Sequence, residues 1–184
     1  MLMPILIGLA GLIVLFLILV ATRPSDFRVT RSAAIAAPPE KVFPYVNELR
    51  NWEAWNPWGR LDPDCQMTYA GPPAGAGASY TWAGNNKVGE GRSTITESKP
   101  YERVRFRLEF AKPMKATNTA EFTFQPERDQ TIVTWTMSGK NNFVGKAFGL
   151  VVNCDRMVGD QFEKGLAQMK SLAEAAAEKI PVHA

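Results

Sequence analysis

Histidine is nearly absent from this chain: His183 is the only one in 184 residues, and it follows Pro181 close to the C-terminus. Ser-His-Asp and Cys-His nucleophile systems need a positioned imidazole, and His-rich metal centres need several. A residue in a terminal tail supplies neither. Those chemistries are excluded, whereas reactions run on carboxylates, Tyr or Lys are not. Cysteine is as scarce. Cys65 and Cys154 match no metal-ligand spacing and no disulfide framework, so both are expected to be free thiols. Cys154 lies on an apolar stripe, where a free Cys packs as a small hydrophobe. A charge excess is missing too. With 21 basic and 18 acidic residues the formal charge is +3, too balanced to point to nucleic acid. No metal and no cofactor is expected.

Charge is also missing from one long stretch. Met1 to Thr22 carries no ionisable side chain and reads as a continuous apolar run from Ile5 to Val20. About 20 such residues cross the hydrocarbon core of a bilayer. A cleaved signal peptide is the alternative, but it calls for a basic leading region and a small-x-small cleavage site, and neither is evident. Residues 1–22 are therefore expected to be a single-pass transmembrane anchor. Arg23, Arg28 and Arg31 follow the span and no Lys or Arg precedes it, which favours a cytoplasmic soluble part. The few residues between Thr22 and Phe27 reach about 3.5 Å each when extended, so the folded part must sit against the membrane.

The rest, 46% hydrophobic and 21% charged over the whole chain, has the make-up of one globular domain. Its middle alternates. Phe27, Val29, Ala33 and Ile35 share one phase, with Arg31 an intruder that is read as a bulge or strand end. Pro38-Pro39-Glu40 opens a short helix, and Asn51 to Trp58 a second short piece with three tryptophans, read as a packing lid before a binding site. Tyr80 and Trp82 face one way. Gly89, Gly91 and Ser93 leave room on the same inner surface, for a helix or for a ligand. Val104, Phe106, Leu108 and Phe110 alternate with Arg103, Arg105, Arg107 and Glu109, and that arginine row reads as a solvated sheet face rather than an anion site. Asn118, Ala120, Phe122 and Phe124, then Val133, Trp135 and Met137, repeat the pattern.

Helical spacing returns at the end. Phe143, Ala147, Val151, Cys154, Val158, Phe162, Leu166, Met169, Ala173 and Ala176 form one stripe of a segment running to Lys179, with a bend expected near Gly159. The fold class is thus α+β: about seven antiparallel strands curved around a long C-terminal helix, plus the N-terminal membrane helix. The expected divisions are an anchor at 1–22, a folded domain at 26–179 and a mobile tail at 180–184.

Four stretches carry a resemblance. They are Ala37 to Phe43, Asn51 to Trp58, Tyr80 to Asn85 with Gly89-Glu90-Gly91, and Phe162 to Leu166. Together they resemble the START-like, or SRPBCC, superfamily, nearest to its polyketide cyclase/dehydrase-like branch, over about residues 26 to 178. The resemblance implies a helix-grip fold around a hydrophobic cavity that holds lipids, sterols, hormones or polyketides, with catalysis in some members. No position matches a catalytic motif of that superfamily, so no catalytic residue is carried over.

Two functions follow as expectations. The first is a membrane-held binder or carrier of an apolar small molecule or lipid. Its cavity candidates are Trp55, Trp58, Tyr80, Trp82, Phe106, Asn118, Phe122, Phe124, Trp135, Met137 and Phe148. Ordinary core packing explains the same residues one by one. The second is a cyclase or aromatase, which needs converging polar groups. By phase the inward candidates are Asn118, Tyr69, Tyr80, Glu97 and Arg31. Finally, the loop Ala111 to Ala116 places Met114 between Lys112 and Lys115, a pattern suited to touching acidic headgroups as well as to a plain hairpin turn. With Phe143 to Phe148, it is expected to form a membrane-facing rim.

Overall fold

A computed structural model of the chain describes residues 2–178. The expected tail, 180–184 with His183, lies outside the described residues. Helix α1 (Leu2–Thr22) leads into β1 (Asp26–Ile35). Then come two one-turn helices, α2 (Pro39–Val42) and α3 (Pro44–Asn47), and two 3-10 turns, Leu49–Ala54 and Pro57–Arg60. Six strands follow: β2 (Gln66–Ala70), β3 (Ser79–Ala83), β4 (Glu90–Lys99), β5 (Arg103–Lys112), β6 (Ala116–Glu127) and β7 (Gln130–Lys140). Two helices, α4 (Phe143–Val151) and α5 (Cys154–Glu178), end the described chain.

The seven strands form one antiparallel sheet in the order β1-β7-β6-β5-β4-β3-β2, and α5 lies against β1. This is the helix-grip architecture expected from the alternation and the terminal helix. Its register settles two details differently. Pairing of β1 with β7 runs unbroken from Asp26–Lys140 to Ile35–Thr131, so there is no bulge at Arg31. Register shifts fall in the β4–β5 pairing instead, one between Glu90 and Gly91 and one between Ile95 and Glu97. The extra residue at the second turns Glu97 out of the inward phase and onto the solvated face. There it pairs with Arg103 at 2.5 Å and Arg105 at 3.3 Å, while Arg105 also meets Glu121 at 2.6 Å. The arginine row is a cross-strand ion network, as a solvated sheet face should be.

The terminal segment is two helices rather than one. The break comes at Val152 and Asn153, not at Gly159. Asn153 caps α5, its side-chain oxygen accepting from Arg156 N at 3.0 Å, and Asn142 caps α4 by accepting from Gly145 N at 2.9 Å. The apolar spacing carries on across this break, which hides it from a periodicity reading.

Gly159 has another role. A Cβ built there would strike the guanidinium of Arg31, which reaches from β1 across the first turns of α5. Arg31 donates Nε to Glu163 at 2.7 Å and Nη2 to Asp155 at 3.1 Å, clamping the helix start to the edge strand. Further along, Lys170 Nζ donates to Ala34 O at 2.6 Å and Ala36 N donates to Glu174 Oε1 at 2.7 Å. That backbone donor holds the Glu174 carboxyl below the usual carboxylate range. A helical glycine normally gives up about 1 kcal/mol to alanine. Gly159→Ala is therefore expected to lower the melting temperature, yet to raise it when Arg31 is already alanine. Thermal unfolding of the four members of that cycle measures the sign change. Stabilisation in both backgrounds would mean the glycine is not held by the arginine.

Candidate functional site

One row of inward positions crosses all seven strands: Tyr69, Tyr80, Ser93, Leu108, Asn118, Gly139 and Phe27 are successive pairing partners. The next row deeper is Ile95, Phe106, Ala120, Met137 and Val29, and the next Val104, Phe122, Trp135 and Arg31. On the other side, at the end where α1 enters, the rim is Trp82, Gly91, Phe110 and Ala116. Because Asp155 and Glu163 are clamped at Arg31 and Glu174 at Ala36, α5 covers the sheet from the Arg31 row toward Ile35. The rows of Phe27 and Trp82 lie beyond its first turn.

Burial follows that division. The deep rows are closed by aromatic packing. Trp52 sits at their centre with ring centroids within 6.3 Å of Trp55, Tyr80, Phe106, Phe122 and Trp135. Its indole N–H donates to Val46 O at 2.9 Å, and that of Trp55 to Tyr45 O at 2.8 Å. Trp135 stacks on Phe162 of α5 at 3.9 Å and 7°. Each such aromatic pair adds about 0.5–1.5 kcal/mol beyond its area burial. The tryptophans after α3 are thus the packing lid that the sequence suggested.

The cavity candidates divide accordingly. Trp55, Tyr80, Phe106, Phe122, Phe124 and Trp135 are buried and packed against one another or their neighbours. Phe124 meets Phe43 at 5.3 Å, at the closed end of the grip. Trp58 is half-buried between Trp135 and Phe162. The space expected between sheet and C-terminal helix is filled there by side chains. Trp82, Asn118 and Met137 are half-buried, as are Phe27, Leu108, Phe110 and Gly139, which the sequence reading did not single out as a site. Phe148 stands on α4 and is exposed.

The room expected above the small residues of β4 is taken by a cross-strand neighbour. Trp82 lays its ring over Gly91, where a Cβ would collide with it, and donates its N–H to Val88 O at 3.1 Å. At the uncovered end, Asn118 and the ring of Phe27 lie over Gly139 in the same way. A concavity of about 600 Å³ is lined there by residues 26–28, 117–119 and 138–140. A smaller one, about 240 Å³, lies at the β2 edge beside Leu49, Arg50, Tyr69 and Pro72.

The inward polar groups are dispersed. Arg31 is committed to α5 on one sheet edge, and Tyr69 donates to Glu53 at 2.7 Å on the other edge, with Arg50 4.7 Å from its ring. Burial pushes the phenols of Tyr69 and Tyr80 above their ordinary range, so both remain neutral donors. Tyr80 comes near Ser93 without meeting hydrogen-bond geometry. Asn118 Oδ1, Ser93 Oγ and Trp135 Nε1 are buried and have no hydrogen-bond partner among the described residues. Such orphans are rare in native proteins and call for an explanation.

A seven-stranded antiparallel sheet that grips one C-terminal helix, with the rows of Phe27 and Trp82 left beyond that helix, is the helix-grip fold. Sequence comparison agrees: the family described as polyketide cyclase / dehydrase and lipid transport matches residues 26–174, and the chain belongs to that family. No curated protein matches. Solved structures share the fold at low identity. A Nitrosospira multiformis protein is 17% identical with a TM-score of 0.60, covering 83% of this chain and 100% of its own. A Chromobacterium violaceum protein is 16% identical with a TM-score of 0.58, covering 83% and 99%. DynU16, from the dynemicin biosynthetic locus, is 15% identical with a TM-score of 0.54, covering 81% of this chain and 48% of its own.

Proposed function

We propose that the chain is a membrane-anchored binding or carrier protein for an apolar small molecule or lipid, taken up at the uncovered end of the grip. The observation that carries this reading is the row Leu108, Asn118, Gly139 and Phe27. It is half-open and mostly apolar, and its amide oxygen on Asn118 lacks a partner. A ligand with a hydrocarbon body and one hydroxyl or N–H donor suits that inventory, since pockets for such molecules are apolar walls with a few placed polar groups. The family description, with its reference to lipid transport, supports the same class. The dispersal of Arg31, Tyr69, Tyr80 and Asn118 over both edges and the middle of the sheet favours holding over cyclisation, which needs those groups to converge.

Helix α1 supports the anchor. Its stretch Met3–Thr22 is long and apolar enough to cross a bilayer, and only three residues lie between it and the domain taken as residues 26–179. The test is native mass spectrometry of the full chain extracted in mild detergent with its co-purified lipids. Wild type should retain one apolar species. Asn118→Ala should lose about tenfold in retention, the loss of one buried hydrogen bond of about 1.4 kcal/mol. Gly139→Val, which presses on Asn118 and Phe27, should abolish it. Equal retention by all three proteins would remove this row from consideration.

A further inference from the structure

Helix α4 is built inside out. Val144, Phe148 and Val151 fall at i, i+4 and i+7 and so share one face, and that apolar face is turned outward: Val144 is 57% exposed, Phe148 45% and Val151 85%. Phe143, at the helix start, and Met157, in the first turn of α5, are also exposed. None of the nine residues of α4 is buried. In a helix that packs on its own domain the apolar stripe faces the core. Here Lys146 and Leu150, on the other side, are half-buried, as are Gly145 and Ala147.

Position on the fold names the occupant. The sheet register puts the start of β1, the end of β7, the start of β6 and the end of β5 at one end of the molecule. Helix α1 enters at that end, and α4 leaves from it. Asn141 N, just before α4, donates to Ser25 O at 2.7 Å, just before β1. The two helices touch, and Val20, in the last turn of α1, is buried while the other described residues of that helix stay exposed. Only residues 23–25 separate α1 from β1, a reach of about 10 Å. The exposed stripe therefore lies at the same end of the fold as a span-length apolar helix, on a helix that touches it. Nine residues give about 14 Å of helix, far too short to cross. Such a helix lies in the interfacial plane with its apolar face a few ångströms into the acyl boundary. Met114, exposed in the β5–β6 hairpin between Lys112 and Lys115, stands at the same end of the sheet, and Lys112 there pairs with Glu90 at 2.7 Å.

We propose that α4 is a membrane-docking helix: its Val144–Phe148–Val151 face lies in the headgroup boundary beside α1 and fixes the uncovered end of the grip against the bilayer. The proposal rests on α1 being a membrane span, and the experiment separates the two. The unmodified full chain is placed in nanodiscs of phosphatidylcholine and phosphatidylglycerol that carry a phosphatidylcholine with a diazirine high in its acyl chain. After illumination the adducts are mapped by mass spectrometry. Adducts on both α1 and α4 are expected, with none on the outer side of α5 around Glu163 and Lys164. Val144→Ser, Phe148→Ser and Val151→Ser combined should lose the α4 adducts and keep those on α1. Adducts on α1 alone would overturn the docking of α4 while leaving the anchor. A chain without adducts on α1 would overturn the anchor and the proposal with it. If α4 instead yields chain-to-chain cross-links, its face serves a second copy and the proposal fails.

Discussion

Phe162→Ala should cost about 3–5 kcal/mol of folding stability, the range for removing a buried aromatic ring. Total stability of a domain is only about 5–15 kcal/mol. Phe162 is 1% exposed and lies flat against Trp135, which stacks in turn on Phe122 at 4.7 Å. Removing the ring opens a hole at the seam where α5 meets the sheet, and neither the strand nor the clamped helix can collapse into it. Chemical unfolding of the micelle-held chain, followed by tryptophan fluorescence, measures the loss. Lys164→Ala, on the exposed side of α5, should stay within about 0.5 kcal/mol as a surface control. A loss below about 1 kcal/mol at Phe162 would show that the seam is loosely packed and that the deep rows have room for a ligand after all.

Two arginines placed in the middle of α1, Leu12→Arg with Phe16→Arg, should remove the chain from membranes. Each charge at the centre of a span costs about 2.5–3.5 kcal/mol on insertion scales, so the pair cancels much of what the apolar run provides. Both side chains are exposed and touch little of the fold, so the soluble part should keep its unfolding midpoint. Carbonate extraction of membranes from expressing cells reads the outcome. A doubly substituted chain still found in the extracted membrane pellet would show that α1 is not what holds it there.

Strand alternation made most of the sheet legible. Val104 to Phe110 and Phe122 to Phe124 took the faces that a period of two assigns to them, because an antiparallel strand with one buried face writes its register into its side chains. The two misplacements came from a single inserted residue and a single long side chain. At Glu97 the bulge in β4 shifts the phase and leaves no mark in composition. Arg31 kept its phase, since α5 offers Asp155 and Glu163 to receive it, and nothing local to β1 announces a partner 124 residues away. The helix break was hidden because Val151, Cys154 and Val158 continue the stripe; Asn153 was the available signal. The candidate site was half visible. Pattern marked which side chains point inward, but not how far α5 extends over them. That boundary depends on the clamp at Arg31, so buried Phe122 and half-open Asn118 read alike in the sequence.

The three-residue link between α1 and β1 also bears on how strong any binding needs to be. In the proposed arrangement the domain meets its ligand as a solute of the membrane rather than of water, and searches for it in two dimensions. The concentration the domain meets is then the ligand's own abundance in the leaflet, and an abundant membrane component reaches on the order of millimolar there. At that level a dissociation constant of about 1 mM, or roughly 4 kcal/mol, keeps a site half filled. Loading could then follow the abundance of the ligand in the surrounding leaflet, and release would need no more than a fall in that abundance.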